Sequence, residues 1–375
     1  KVVQELKKKS RGKKVFLASD LDREGEAIAW HISELLGLPR DEKNRIVFNE
    51  ITESAIKSAI LSPRNIDMSK VEAQVARRVL DRIVGYKISP LLWRTMTKGL
   101  SAGRVQSVAL KLMVELEKKI AVFVPHRFFK IFAKTAEDRF ALSQIEGKKF
   151  NNKSVTTEEK RDEIIEELSK SVLRVKDVKK RTSKRSAPMP FITSTLQQSA
   201  IGELGWSASK TMKVAQQLYE GIETDQGQIA FITYMRTDST RISSQARDKA
   251  VEIISNSFGS EYVGPVRSGG KGKKIQDAHE AIRPTYPEND PEMAKRLLSG
   301  DNLRLYALIW NRFIASQMAS AEYAVTDVEL ADESGKYILS LTGERRLFDG
   351  FERIISRSSK SEIGHDYKKG ELVKP

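Results

Sequence analysis

The sequence predicts a multidomain chain of mixed class, an α/β opening followed by mainly helical and mainly β parts. Three observations predict it. At 375 residues the chain is too long for one ordinary core, so two to four domains of about 100–200 residues are expected. The spacing of apolar residues changes along the chain, from helical over 50–120 to alternating over 128–180, and alternation returns after about Glu322. The charged, Pro-bearing run Lys179 to Pro190 reads as a linker between the β-rich stretch and a second helical one.

In order, Val15-Phe16-Leu17-Ala18 reads as a short strand and Ser19 to Glu26 as a turn rich in acids. Ile28, Ile32, Leu35 and Leu36 then make a helix that Gly37 and Pro39 stop. Ligands of open α/β sheets bind beyond the carboxyl ends of strands, where these acids fall. Helices are predicted over Ser54–Ile60, over Val71–Val84 with a stop at Gly85, and over Val105–Val122 with Val108, Leu112 and Leu116 on one face. Phe128 to Phe132 opens the sheet pattern. Leu196, Ala200 and Leu204 form one helical face; after Gly205-Trp206, Ser207 or Ser209 caps a second helix ending at Gly221, a helix-turn-helix-like pair. Trp93 and Trp206 read as core residues. The division predicted is 1–60, 61–125, a discontinuous β-rich unit from 126–186 and 322–375, and an insert over 187–321.

Composition narrows the function. Sixty-five Lys+Arg against 50 Asp+Glu leave +15, the electrostatic footprint of a polyanion binder. Zero Cys excludes disulfides, cysteine zinc sites and thiol nucleophiles within these residues, and four His make a histidine-built metal site unpromising. The chain has no uncharged apolar run of about 18 residues and no signal pattern, so it reads as soluble, cytoplasmic and not membrane-bound. Its first and last residues read as cuts in a longer protein.

Two clusters carry chemistry. Tyr234 ends the apolar run Ile229–Thr233 with Arg236 two positions on, a phenol that could attack a phosphodiester if its pKa, normally about 10, were helped by positive charge. Asp20, Asp22 and Glu24 alternate, so they could converge on Mg²⁺, or cap the helix that follows. Arg77 and Arg78, with Asp81 and Arg82 one turn on, could reach a nucleic-acid strand or form ion pairs on a wet helix face. Ser268 to Lys274 lacks the Ser/Thr of a nucleotide-binding loop and reads as a basic loop, so no ATP is expected.

The order of longer motifs is more specific. Leu17-Ala18-Ser19-Asp20-Leu21-Asp22-Arg23-Glu24-Gly25-Glu26 is followed by Phe48-Asn49-Glu50-Ile51-Thr52, Ala76-Arg77-Arg78-Val79-Leu80-Asp81-Arg82 and Ser101-Ala102-Gly103-Arg104-Val105-Gln106-Ser107. Then come Pro190-Phe191-Ile192-Thr193, Tyr234-Met235-Arg236-Thr237-Asp238-Ser239 and Ala278-His279-Glu280-Ala281-Ile282-Arg283-Pro284. This series resembles type IA DNA topoisomerases over essentially the whole chain, closer to the bacterial topoisomerase I branch than to topoisomerase III. The resemblance implies a partial Toprim α/β domain, with helical and sheet domains arranged as the toroid of that family. It implies that Tyr234 forms a 5′-phosphotyrosine, that Arg236, Arg23, His279 and Arg283 assist, and that Asp20, Asp22 and Glu24 hold Mg²⁺. Arg77, Arg78, Asp81, Tyr86, Arg104, Gln106 and Ser107 would contact single-stranded DNA. Implied too are relaxation of negative supercoils without ATP, a monomer, and a nucleoid location. The family also carries a glutamate and a lysine on a strand ahead of the acidic motif, which these residues do not include. The competing expectations are a non-catalytic single-strand-binding piece and a Toprim nuclease.

Overall fold

The computed structural model describes residues 2–39, 41–225, 227–266, 280–356 and 361–374. Helix α1 (Val2–Ser10) is exposed throughout. The chain then reaches Leu17, which bridges Arg45 in parallel, while Arg45 bridges Arg64 antiparallel. The strand predicted over 15–18 is thus reduced to single bridges. Leu17 pairs with Arg45 alone among the described bridges, too short a contact to propagate a ladder.

Asp22 starts α2 (Arg23–Leu36) by accepting a hydrogen bond from the Gly25 amide at 2.7 Å, and Gly37 ends it at φ 67°, a left-handed conformation that glycine adopts without a Cβ penalty. Thr52 caps α3 (Glu53–Leu61) and Asp67 caps α4 (Met68–Thr95). The stop predicted at Gly85 is overridden: α4 runs through Gly85 and Pro90 for 28 residues. The buried Ser89 hydroxyl accepts from the Ala102 amide, fastening the chain after α4 to the helix at this turn. α5 (Arg104–Ala121) has no buried residue among those described, so the face of Val108, Leu112 and Leu116 lies open.

The sheet is built from β1 (Phe132–Lys134), β2 (Arg139–Ile145), β3 (Lys148–Lys149) and, after α6 (Glu158–Lys170), β4 (Leu173–Arg185). The chain-distant strands β7 (Ala321–Ala331), β8 (Tyr337–Phe348) and β9 (Leu372–Val373) complete it, in the order β1-β2-β8-β7-β4-β9, with β3 on β2. All pairings in it are antiparallel, and β4 pairs with β7 from Arg174–Ala331 to Arg185–Ala321. The Lys179–Arg185 part of the predicted linker is therefore strand. Its charges are matched across the ladder: Arg181 to Asp327 at 3.2 Å, Lys184 to Glu322 at 2.6 Å, Lys180 to Asp366 at 3.0 Å. One face of the sheet packs Phe140, Leu173, Val175, Leu330 and Leu339 against Ile164 and Leu168 of α6.

Between β4 and β7 lies a helical body. α7 (Thr193–Ser199) runs into one π-helical turn, Ala200–Leu204, and Gly205 at φ 70° turns the chain into α8 (Ala208–Glu220), capped by Ser207. Trp206 is buried there, as predicted, whereas Trp93 is 46% exposed. A hairpin, β5 (Ile222–Thr224) and β6 (Gly227–Ile229), leads to Tyr234. Then come α9 (Ser244–Phe258), the short α10 (Pro291–Ala294) and α11 (Gly300–Gln317), whose Leu305, Ile309, Phe313 and Ile314 are fully buried. β8 and β9 close the sheet. The helical core also receives Leu21, Val47 and Ile51 from the first segment, which brings the acidic turn against the Tyr234 region. Among the described residues no helix is long and apolar enough to cross a membrane.

Candidate active site

The acidic turn is held by a buried arginine. Arg45, fully buried, donates to the carbonyls of Leu17, Ser19, Asp20 and Ile46 and to the Glu26 carboxylate at 3.1 Å. Glu26, also fully buried, accepts from Arg64 at 2.9 Å and from the Asp67 amide at 2.7 Å, and these partners hold its carboxyl low against the cost of burial. The strand-to-helix turn is therefore stapled to the start of α4.

Tyr234 is 2% exposed, with its ring edge-on to Tyr219 at 5.2 Å. Its backbone amide donates to the Asn49 carbonyl at 2.9 Å and its hydroxyl to Asp22 Oδ2 at 2.6 Å. Arg236 Nη1 lies 3.7 Å from the same carboxylate oxygen. Positions 22 and 234, 212 residues apart, thus meet. Burial first, then the hydrogen bond to Asp22, push the phenol well above its ordinary value, and Arg236 opposes them. Tyr234 is therefore held as a neutral donor. Beside it a cleft of about 360 Å³ is lined by Asp22, Arg23, Glu24, Thr193, Arg236 and Asp238.

The three acids do not converge. Asp22 serves as helix cap and phenol acceptor, while Glu24, in the first turn of α2, reaches α4 and pairs with Arg77 at 3.1 Å. Among the described residues no group of three or more His, Asp and Glu is arranged to hold an ion. The alternation predicted to gather the trio is broken because helix α2 begins at Arg23, which rotates Glu24 away. Asp20 and Asp22 remain neighbours, and burial together with the Asp22 charge raises the Asp20 carboxyl. Two adjacent hard oxygen donors are a donor set that suits Mg²⁺ completed by water.

The raised Asp20 carboxyl fixes a sign. Its folded value lies above the unfolded one, so the native state gains from protonation, and stability falls as pH rises through the raised value. In metal-free buffer at neutral pH, Asp20→Asn is expected to stabilise the fold by about 1 kcal/mol, read from the denaturant midpoint.

A second groove of about 590 Å³ runs along α4, lined by Gln74, Arg77, Arg78, Asp81, Arg82, Tyr86 and Trp93, and Glu24 lines both spaces. Tyr86 is 75% exposed. Arg104 pairs with Asp81 at 3.0 Å, while Gln106 folds back onto Ser101 at 2.7 Å and the Ser107 amide donates to the Gly103 carbonyl. Arg283 is placed elsewhere: it is 4% exposed, pairs with Glu50 and Glu280 at 2.9 Å each, and lines a separate cleft of about 480 Å³. His279 and the 268–274 loop lie outside the described residues.

A family model described as DNA topoisomerase matches residues 65–375, and the Toprim domain model matches residues 1–51. The chain belongs to the bacterial type IA DNA topoisomerases. It is 49% identical to DNA topoisomerase 1 of Fervidobacterium islandicum, over 97% of this chain and 52% of that one. With DNA topoisomerase 1 of Thermotoga maritima it is 46% identical over 100% of this chain and 58% of the other. The solved full-length topoisomerase I of Thermotoga maritima superposes with a TM-score of 0.87 at 45% identity, over all of this chain and 60% of that one. The chain thus spans between half and three-fifths of these relatives, and its fold is that of the topoisomerase family.

Several residues of this topoisomerase chain escaped sequence reasoning. Trp93, read as core, lines the groove, and so does Gln74. Gln74, Arg78, Arg82 and Tyr86 recur every four residues and Trp93 follows seven later, a stripe on one helix face that the sequence already contained. Arg45 carried no such signal, because a lone arginine in a β-like stretch usually faces water.

Proposed function

We propose that this chain carries the strand-cutting and strand-holding part of an ATP-independent type IA topoisomerase that relaxes negatively supercoiled DNA. Tyr234 attacks a phosphodiester of a single-stranded segment. An O–P bond forms to the phenol, the bond to the 3′-oxygen breaks, and a 5′-phosphotyrosine and a 3′-hydroxyl result, the leaving oxygen taking its proton from water in the open cleft. One phosphoester replaces another, so bond energy is conserved for resealing. The observation that carries this reading is the 2.6 Å contact between the Tyr234 hydroxyl and Asp22, with Arg236 alongside and an open cleft next to them.

Asp22 is in place to take the phenol proton as the bond forms, which the raised phenol requires. Arg236, 56% exposed at the cleft, and the exposed Arg23 stabilise the charge on the pentacoordinate phosphorus. Asp20 and Asp22 would hold Mg²⁺, and Glu24 could join them only by leaving Arg77. Bound there, the ion would neutralise phosphate charge near the broken ends. His279 and Arg283 complete the set only as assignments by family resemblance, and the position of Arg283 favours a different role.

The α4 groove holds the strand, with Arg77, Arg78 and Arg82 on phosphates and Tyr86 and Trp93 offering rings to bases. Arg104, Gln106 and Ser107 flank it. Tyr86→Ala is expected to lose one stacking contact, about 1–3 kcal/mol, and to weaken binding of a short single-stranded oligonucleotide about 5- to 150-fold by fluorescence anisotropy. The four segments 1–60, 61–125, 126–186 with 322–375, and 187–321 act as separate bodies around the strand, in a monomer working in the cytoplasm on the nucleoid.

The deciding experiment is to mix the native protein with end-labelled single-stranded DNA, with and without Mg²⁺, and denature. Labelled DNA should migrate with the protein. Cut ends that appear free of protein would overturn the assignment.

A further inference from the structure

The Tyr234 segment is bracketed on two sides. On one, Thr233 N donates to the Arg283 carbonyl and Arg283 N donates to the Thr233 hydroxyl, both inside the helical body. On the other, Tyr234 N donates to Asn49 of the first segment. One residue on, Glu50 meets Arg283 at 2.9 Å, so a charge pair spans the boundary that the nucleophile itself sits on. Arg283 is nearly inaccessible and also bonds Glu280 at 2.9 Å and the Pro284 carbonyl at 3.0 Å, all within its own body. Parting the pair would therefore leave the guanidinium partly partnered and Glu50 with the Thr52 hydroxyl beside it. Next to the pair the 480 Å³ cleft admits water between α3 and α9, lined by Lys57, Lys249, Tyr286 and Glu288.

We propose that Glu50 and Arg283 form the latch of the DNA gate: a positioning pair that keeps the tyrosine-bearing body seated on the acidic segment after cleavage, and that must part for a strand to pass. This rests on the function proposed above. The chemistry itself removes another link, because an esterified Tyr234 has no proton to donate to Asp22. What then spans the boundary near the nucleophile includes the Asn49 backbone bond, the Arg236–Asp22 contact and this pair, the most buried of the charged links. An ion pair at the edge of a cleft is made when the bodies are seated and exchanged for hydration when they part, which gives it two arrangements rather than a graded one.

The 375 residues contain no Cys, so Ser54→Cys on α3 and Gln245→Cys on α9, facing the same cleft, can carry nitroxide labels in the native polypeptide. Distances are measured by pulsed electron resonance in the covalent complex with single-stranded DNA. Glu50→Gln should raise the long-distance population about tenfold while adduct yield stays within about twofold. Glu50→Asp should restore most of the closed population, and adding Arg283→Lys to Glu50→Gln should open the gate no further, because both changes break one pair. Unchanged distances in Glu50→Gln, or effects of the two changes that add, would overturn the latch. Wild-type protein that makes no adduct would overturn the reading of Tyr234 instead, a failure visible before any label is read.

Discussion

Tyr234→Phe should abolish the protein–DNA adduct, to below about 10⁻⁴ of the native yield in single-turnover trapping, because the proposed ester forms on the oxygen that the change removes. The ring packs on Tyr219 and reaches bulk water hardly at all, so the phenylalanine fits the same space. The hydroxyl donates to Asp22, and its loss leaves Asp22 still capping Gly25 and facing Arg236. Fold and DNA binding should therefore survive. Binding of a single-stranded oligonucleotide within about twofold of wild type, with no covalent product, separates loss of the nucleophile from loss of structure. Persistent adduct would show that another residue attacks.

The largest effect on stability is expected from Arg45→Ala. Its guanidinium satisfies four backbone carbonyls and half of the Glu26 carboxylate in a place without solvent. Removing one partner of a buried ionic network typically costs about 3–5 kcal/mol, since the other is left desolvated and under-partnered. The loss should appear as an earlier phase in denaturant unfolding that involves the amino-terminal segment. Adduct formation should fall with it, because the Asp20 carbonyl that Arg45 holds at 2.6 Å belongs to the turn that presents Asp22. The gentler Arg45→Lys keeps the charge but not the fork, and should fall between the two. An unfolding curve identical to wild type would show that the turn is held by something else.

Much of this was legible in advance where a local rule decides the outcome. Gly37 and Gly205 end helices, Ser207 caps α8, and the alternation in 321–331 is the strand that pairs with β4. The meeting of positions 22 and 234 could not be derived from local rules, which do not reach across 212 residues; the motif order pointed to it. Local rules failed where distant partners intervene. The long α4 ignores Gly85, since a glycine costs a helix only about 1 kcal/mol and the remaining turns outweigh it. The run at 179–185 looked like a solvated linker because its acidic partners lie nearly 150 residues away on β7. Trp93 was misread, and Glu24 turns to Arg77 on α4, for a shared reason: the direction of a side chain depends on which residue starts or continues a helix, which the sequence pattern does not reveal.

Gly25 sits where the turn doubles back, and a methyl group there would lie 2.0 Å from the Asp20 carbonyl oxygen, well inside contact distance. That oxygen cannot yield, because Arg45 grips it from behind. In a saturation library screened for adduct formation, position 25 should accept no other amino acid, alanine included. Breeding a sturdier variant by filling helical glycines would silence the molecule at this one spot.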